Sequence, residues 1–200
     1  MVDTAHDGPE TRILDATVVC LARYGVAKTT LDDVAREAGC ARATVYRYFS
    51  GKQQLILAAV DRERLRLVTA VDAATIGAAT VEDALVAMAT TAGVLLTENA
   101  ALQFALAHEP EVVLPAVTFE SGDRFLADAA ALLAPIFSRF VPAERAERAA
   151  EWCTRVFLAY LGADDAPISM TDPEQVRELV HDLIVPAFAP LPSPAHRSRG

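Results

Sequence analysis

The chain has 200 residues, 52% of them hydrophobic and 22% charged, which is enough apolar material for a buried core and too much for an intrinsically disordered chain. Its formal net charge is -9, a total that by itself argues against a polyanionic partner. No apolar run approaches the roughly 18 residues of a membrane span; the longest, Ala129 to Phe137, contains Pro135.

Met1 to Asp7 is acidic and poor in apolar side chains, unlike a signal peptide. The three cysteines, at 20, 40 and 153, are odd in number and lack metal-type spacing. A soluble protein of the reducing cytoplasm is expected, without a disulfide framework, metal or cofactor. The charge is unevenly spread. From Arg23 to Arg66 nine Lys/Arg face five Asp/Glu, whereas from Leu67 to Gly200 eight face eighteen. A basic front and an acidic back suggest two tasks on one polypeptide.

Helical periodicity dominates and alternating strand patterns are absent. The first helix opens after Gly8 with Pro9 at its first position, presents Leu14, Thr17, Val18, Leu21 and Ala22 on one face, and stops at Gly25. Thr29 or Thr30 caps a short helix to Ala38, with Asp32 and Asp33 in its first turn. Gly39 ends it, a third helix covers Ala41–Phe49, and Ser50-Gly51 breaks the chain before a long helix from Lys52 to Thr69 or Thr75. Further helices are expected at Val81–Asn99, Leu102–His108, Phe119–Phe140, Ala143–Gly162 and Pro173–Phe188, punctuated by Pro110, Pro115, Pro142 and Pro167. Pro186 predicts a kink or an early stop in the last helix. The fold class is all-α: a three-helix N-terminal domain (9–51) follows a flexible arm (1–8) and precedes a larger helical domain (52–189) and a disordered tail (190–200).

The segment Leu31–Ala38, Gly39-Cys40, Ala41–Phe49 has the spacing of a helix-turn-helix, whose second helix enters the DNA major groove. Val34, Ala35 and Ala38 on the first helix face Val45 and Phe49 on the second. Arg42, Ala43, Thr44, Tyr46, Arg47 and Tyr48 are left outward, with no acid among them. Guanidinium, hydroxyl, methyl and phenol groups suit base edges and phosphates. The same geometry also occurs as a structural corner of two helices.

The run Thr29 to Phe49, followed by Gly51-Lys52 and Leu55, resembles the DNA-binding signature of the TetR family of transcriptional regulators. The resemblance implies an all-helical homodimer on a palindromic double-stranded DNA operator, with a small molecule in the C-terminal domain releasing the DNA. By position it implies base contacts from Arg42, Ala43 and Thr44. Tyr46 and Tyr48 are implied on phosphates or base edges, Lys52 on a phosphate at a helix N-terminus, and Thr29 and Thr30 at the cap and the phosphate. Cys40 and Arg47 depart from the family pattern. Arg47 is open between a groove contact and a salt bridge within the domain.

The resemblance also places Ala143–Gly162 and Pro173–Phe188 in a dimer interface. Met88, Leu95, Phe104, Leu106, Phe119, Phe125 and Trp152 are candidates to line a pocket for a hydrophobic or amphipathic effector. Trp152 and Phe157 read as core or dimer packing rather than as ligand contacts. Cys40 and Cys153 read as small buried hydrophobes rather than redox sensors. His108-Glu109-Pro110-Glu111 lacks the second histidine of a metalloprotease helix and reads as a helix terminus. No catalytic constellation is present: no Ser/His/Asp spacing, no phosphate-cradling glycine loop and no CxxC. The resemblance implies a regulator, most often a repressor with activation also open, in place of the rival readings, an all-helical enzyme or a protein-interaction module.

Overall fold

The computed structural model describes residues 8–117, 127, 129–131, 133–161 and 168–188. Among them every regular element is helical. The expected tail (190–200) and all of the expected arm but Gly8 lie outside the described residues, as do Phe119 and Phe125.

Helix α1 (Pro9–Lys28) starts with proline at its first turn, as expected, but does not end at Gly25. Gly25 adopts φ 76° and ψ 176°, a break that only glycine tolerates without strain, and one further helical turn follows. Helix α2 (Leu31–Glu37) opens on Thr30. The Thr30 hydroxyl accepts from the Asp33 N–H and the Asp33 carboxylate accepts from the Thr30 N–H, both at 3.2 Å, a reciprocal capping box. Gly39, at φ 63°, turns the chain, and the Cys40 N–H bonds back to the Ala35 carbonyl at 2.9 Å. Helix α3 is Arg42–Tyr48, and α4 runs Lys52–Thr75.

These helices close over one core. Val34 and Val45 are fully buried against each other's helices, with Ile13, Cys20, Leu31, Phe49, Leu55 and Ala59 around them. Each such side chain contributes roughly 1.5–3 kcal/mol when taken out of water. Leu55 and Ala59 belong to α4, so this core reaches past residue 51 and the first two turns of α4 are part of it.

The second core lies in the C-terminal body. Helices α5 (Val81–Glu98) and α6 (Ala100–His108) meet at 70°, and α7 (Pro110–Val117) follows. Proline at 110 begins α7 rather than merely ending α6, because the first turn of a helix needs no N–H there. Helix α8 (Ala143–Leu161) buries Ala146, Ala150, Cys153 and Phe157 against Leu85, Met88, Ala89 and Phe137. The expected helix to Phe140 stops at Phe137, whose carbonyl takes the N–H groups of Phe140 and Val141 at 2.9 and 3.0 Å. Helix α9 (Pro173–Leu179) passes into a π turn, Val180–Ile184, and a last turn α10 (Val185–Phe188). The ladder is therefore disturbed one turn before Pro186: the Val185 N–H reaches back five residues to Val180. Among the described residues no single helix is long and apolar enough to cross a membrane.

Helix α1 packs against both bodies. One side packs on α2 and α4, the other on α6. Val18, which packs on the N-terminal core as expected, and Ala22 also line a cleft of about 340 Å³ at the junction of the two bodies.

Candidate nucleic-acid interface

Helix α3 is amphipathic. Val45 is sealed into the core and Phe49 just beyond the helix is buried. Arg42, Ala43, Tyr46 and Arg47 are exposed, while Thr44 and Tyr48 are half-buried. The acid-free face expected from the sequence therefore points to solvent, which makes it a usable surface and not an internal prop.

Arg42 is already engaged. Its Nη1 donates to Asp32 of α2 at 2.9 Å, its Nη2 donates to the Tyr46 hydroxyl at 3.2 Å, and its guanidinium lies 5.4 Å from the Tyr46 ring centroid. The Tyr46 hydroxyl, and then the Asp32 carboxylate, raise its already high pKa further. Both members of the ion pair are more than half exposed, so the bond is readily exchanged for a stronger partner such as a guanine edge or a phosphate. Arg47 differs. Its guanidinium sits 5.2 Å from the Tyr48 ring centroid, and among the described residues no carboxylate pairs with it. Of the two roles open for Arg47, the internal salt bridge is absent from the described structure.

Two expected contacts are placed differently from each other. The Thr30 side chain is exposed and caps α2, and its hydroxyl is held 2.5 Å from Asp33, which lies below the usual carboxylate pKa because of that bond. Thr29 corrects the expectation that both threonines reach phosphate: it is buried, its hydroxyl donating to the Gly25 carbonyl at 2.6 Å. The β-branched side chain is consumed in closing the kink after α1. Lys52 opens α4 as expected, but its Nζ donates to the Ala27 carbonyl at 2.8 Å. Lys28, exposed in the last turn of α1, is a cation on this side of the molecule that the sequence reading did not single out.

The five described residues among those proposed for the effector pocket do not converge, and Leu106 is exposed on α6. Met88 is in the C-terminal core, Trp152 is 42% exposed on α8, and Phe104 packs edge-on against His108 at 4.5 Å between centroids. Leu95 lines the cleft between the bodies, beside Glu63, Glu98 and Asn99. All are apolar residues on amphipathic helices, and sequence period does not tell a core from a pocket wall. Cys153 is buried, which pushes its thiol up to about 12, and it behaves as a small hydrophobe.

Residues 13–59 match the family model described as bacterial regulatory proteins, tetR family. Over 56 residues the chain is 43% identical to an uncharacterized HTH-type transcriptional regulator of Mycobacterium tuberculosis, a segment that covers 28% of each protein. Over 60 residues it is 38% identical to the HTH-type transcriptional regulator TtgR of Pseudomonas putida, covering 29% of each. The similarity to these curated relatives thus spans less than a third of their length. The fold extends further. The TetR family repressor AlkX of Dietzia sp. superimposes with a TM-score of 0.65 at 23% identity, over 90% of this chain and 95% of that one. The regulator FadR of Bacillus subtilis, solved in complex with stearoyl-CoA, does so with 0.64 at 17% identity, over 85% and 96%.

Proposed function

We propose, from the premise that the chain is a member of the TetR family by its N-terminal domain, that it represses transcription as a homodimer on a palindromic operator and is released by a small hydrophobic or amphipathic effector. The observation that carries the DNA reading is the solvent-facing, acid-free surface of α3, anchored from behind by Val45 and Phe49. Arg42, Ala43 and Thr44 at its start are the proposed base readers. Tyr46, Arg47 and Tyr48 reach the backbone or the groove edge, Thr30 stands at the cap of α2, and Lys52 opens α4, a helix start that favours phosphate. The acidic remainder of the chain repels DNA from every other face, which leaves the basic face as the productive approach.

Two-fold pairing through α8 and the terminal helices would set two copies of α3 one duplex turn apart, about 34–36 Å. Trp152 and Leu183, 42% and 65% exposed, are large apolar side chains on those elements and suit a covered interface. An effector that binds the DNA-incompetent spacing about 100-fold more tightly shifts the equilibrium by roughly 2.7 kcal/mol. A related fold holds stearoyl-CoA in the FadR of Bacillus subtilis, so an acyl thioester is the first probe.

The test is selection of duplexes from a random pool, followed by titration at several salt concentrations. A palindrome bound in a strongly salt-dependent way, and released by stearoyl-CoA or another long-chain amphiphile, is the expected result. A pool that yields no enriched sequence overturns the reading.

A further inference from the structure

Glu109 joins α6 to α7 in the C-terminal body, yet its side chain is spent on the N-terminal unit. Oε2 accepts the Val26 N–H at 2.5 Å and Oε1 accepts the Ala27 N–H at 2.9 Å. The residue is 8% exposed, and among the described residues no cation pairs with it. A buried carboxylate balanced by backbone N–H groups alone is held by strong, charge-assisted bonds and is costly to leave unpaired.

The receiving surface is shaped for it. A side-chain carbon placed on Gly25 would lie 2.6 Å from Phe104 Cε1 and 2.7 Å from Glu109 Cδ, so glycine there permits the kink and also the approach of α6. From the same short segment the Ala27 carbonyl takes Lys52 Nζ, the Gly25 carbonyl takes the Thr29 hydroxyl, and Thr30 begins α2. Residues 25–30 are thus gripped on the N–H side by the C-terminal body and on the carbonyl side by the first residue of α4.

Resting on the DNA-binding reading above, we propose that Glu109 is a positioning residue for the operator interface. It fixes the N-terminal unit to the C-terminal body, so that the separation of the two recognition helices in the dimer is set by α6. A shift of α6 must either carry residues 25–30 with it or break both bonds together, which makes the junction a two-position device rather than a slide. Glu109 touches no DNA in this arrangement and leaves the chemistry of α3 unchanged.

The experiment uses the full chain and the duplex selected with the wild-type protein, remade with the half-site separation altered by about one to three base pairs in either direction. Glu109→Gln keeps the size of the group and loses the charge and one acceptor. Its expected phenotype is an affinity about tenfold lower for the selected duplex. Its preference among separations should be flattened, with base preference within each half-site and binding to poly(dI-dC) unchanged. Amide exchange at Val26 and Ala27 should accelerate in the same variant. Wild-type affinity with the wild-type optimum of separation overturns the proposal, and so does a uniform loss on every duplex. If circular dichroism shows Glu109→Gln unfolded, Glu109→Asp, one methylene short of both N–H groups, is read in its place by the same criteria. Should the wild-type chain select no duplex, the DNA reading fails first. Unchanged exchange at Val26 and Ala27 in the variant would then overturn the grip itself.

Discussion

Arg42 is tethered across the turn of the helix-turn-helix to Asp32, 2.9 Å away, and lies beside the Tyr46 ring. The pair places the guanidinium at the start of α3, between Asp32 and the Tyr46 hydroxyl. An exposed pair of this kind adds little to folding, so its effect falls on binding.

Arg42→Ala is expected to cost roughly 1–3 kcal/mol on the selected duplex and to relax base preference at one position of each half-site. Asp32→Asn removes a negative charge from the same face, and should raise affinity for poly(dI-dC) several-fold while the fold persists. Titration of both variants checks this; an Arg42→Ala protein with full affinity and full selectivity would take Arg42 out of the interface.

Lys52 has two claims on its ammonium, the Ala27 carbonyl and a phosphate. If it meets phosphate, Lys52→Ala lowers the slope of log affinity against log salt by about one per half-site, and Lys52→Arg restores it. A slope that does not move would confine Lys52 to holding the α1–α2 segment.

Among the described residues, Trp152 on α8 and Leu183 on the π turn are the large apolar side chains left open on the terminal elements. Leu183→Glu is expected to give a folded monomer by sedimentation that no longer binds the selected palindrome cooperatively. In the wild type, Trp152 emission should shift to longer wavelength on dilution. A wild-type monomer at micromolar concentration contradicts the dimer.

The start of α5 is tied to the last helices by charge. Glu82 accepts from His181 at 3.1 Å, and Arg177 reaches Glu82 and Asp83 at 3.2 and 3.1 Å. The bond to Glu82 raises His181 above its ordinary 6.5, while the bonds to His181 and then Arg177 hold Glu82 below 4.5. Protonated His181 therefore stabilises the fold fully below about pH 6.5, an effect lost as the pH rises through its raised value. Ionised Glu82 stabilises it above about pH 4.5, an effect lost on further acidification. His181→Gln should lower the melting temperature at pH 5.5 more than at pH 8.5. Equal losses at both would show that the ring acts by packing, not charge.

Much of this was legible in the order of residues. The capping threonine with Asp33, the glycine turn, and the apolar positions Val34, Ala35, Val45 and Phe49 are short-range signals, all set between residues 30 and 49. They specify the helix-turn-helix and leave its basic face outward by elimination. Local period also placed α5, α8 and α9.

Contacts across the chain were not legible, because no local pattern encodes them. Thr29 reads as a surface cap until the kink at Gly25 turns its hydroxyl inward. Glu109 reads as the end of a helix, since nothing within its own segment shows that Val26 and Ala27, more than eighty residues earlier, present two N–H groups to it. Trp152 and Met88 have the same apolar character and opposite fates, one open and one sealed. Residue order alone determined most of the helices, α7 excepted, and which face of α3 is free. Only the packing of α1 against α6 decided where the two bodies are joined, because that contact depends on a backbone reversal and a close approach that exist only once both helices are in place.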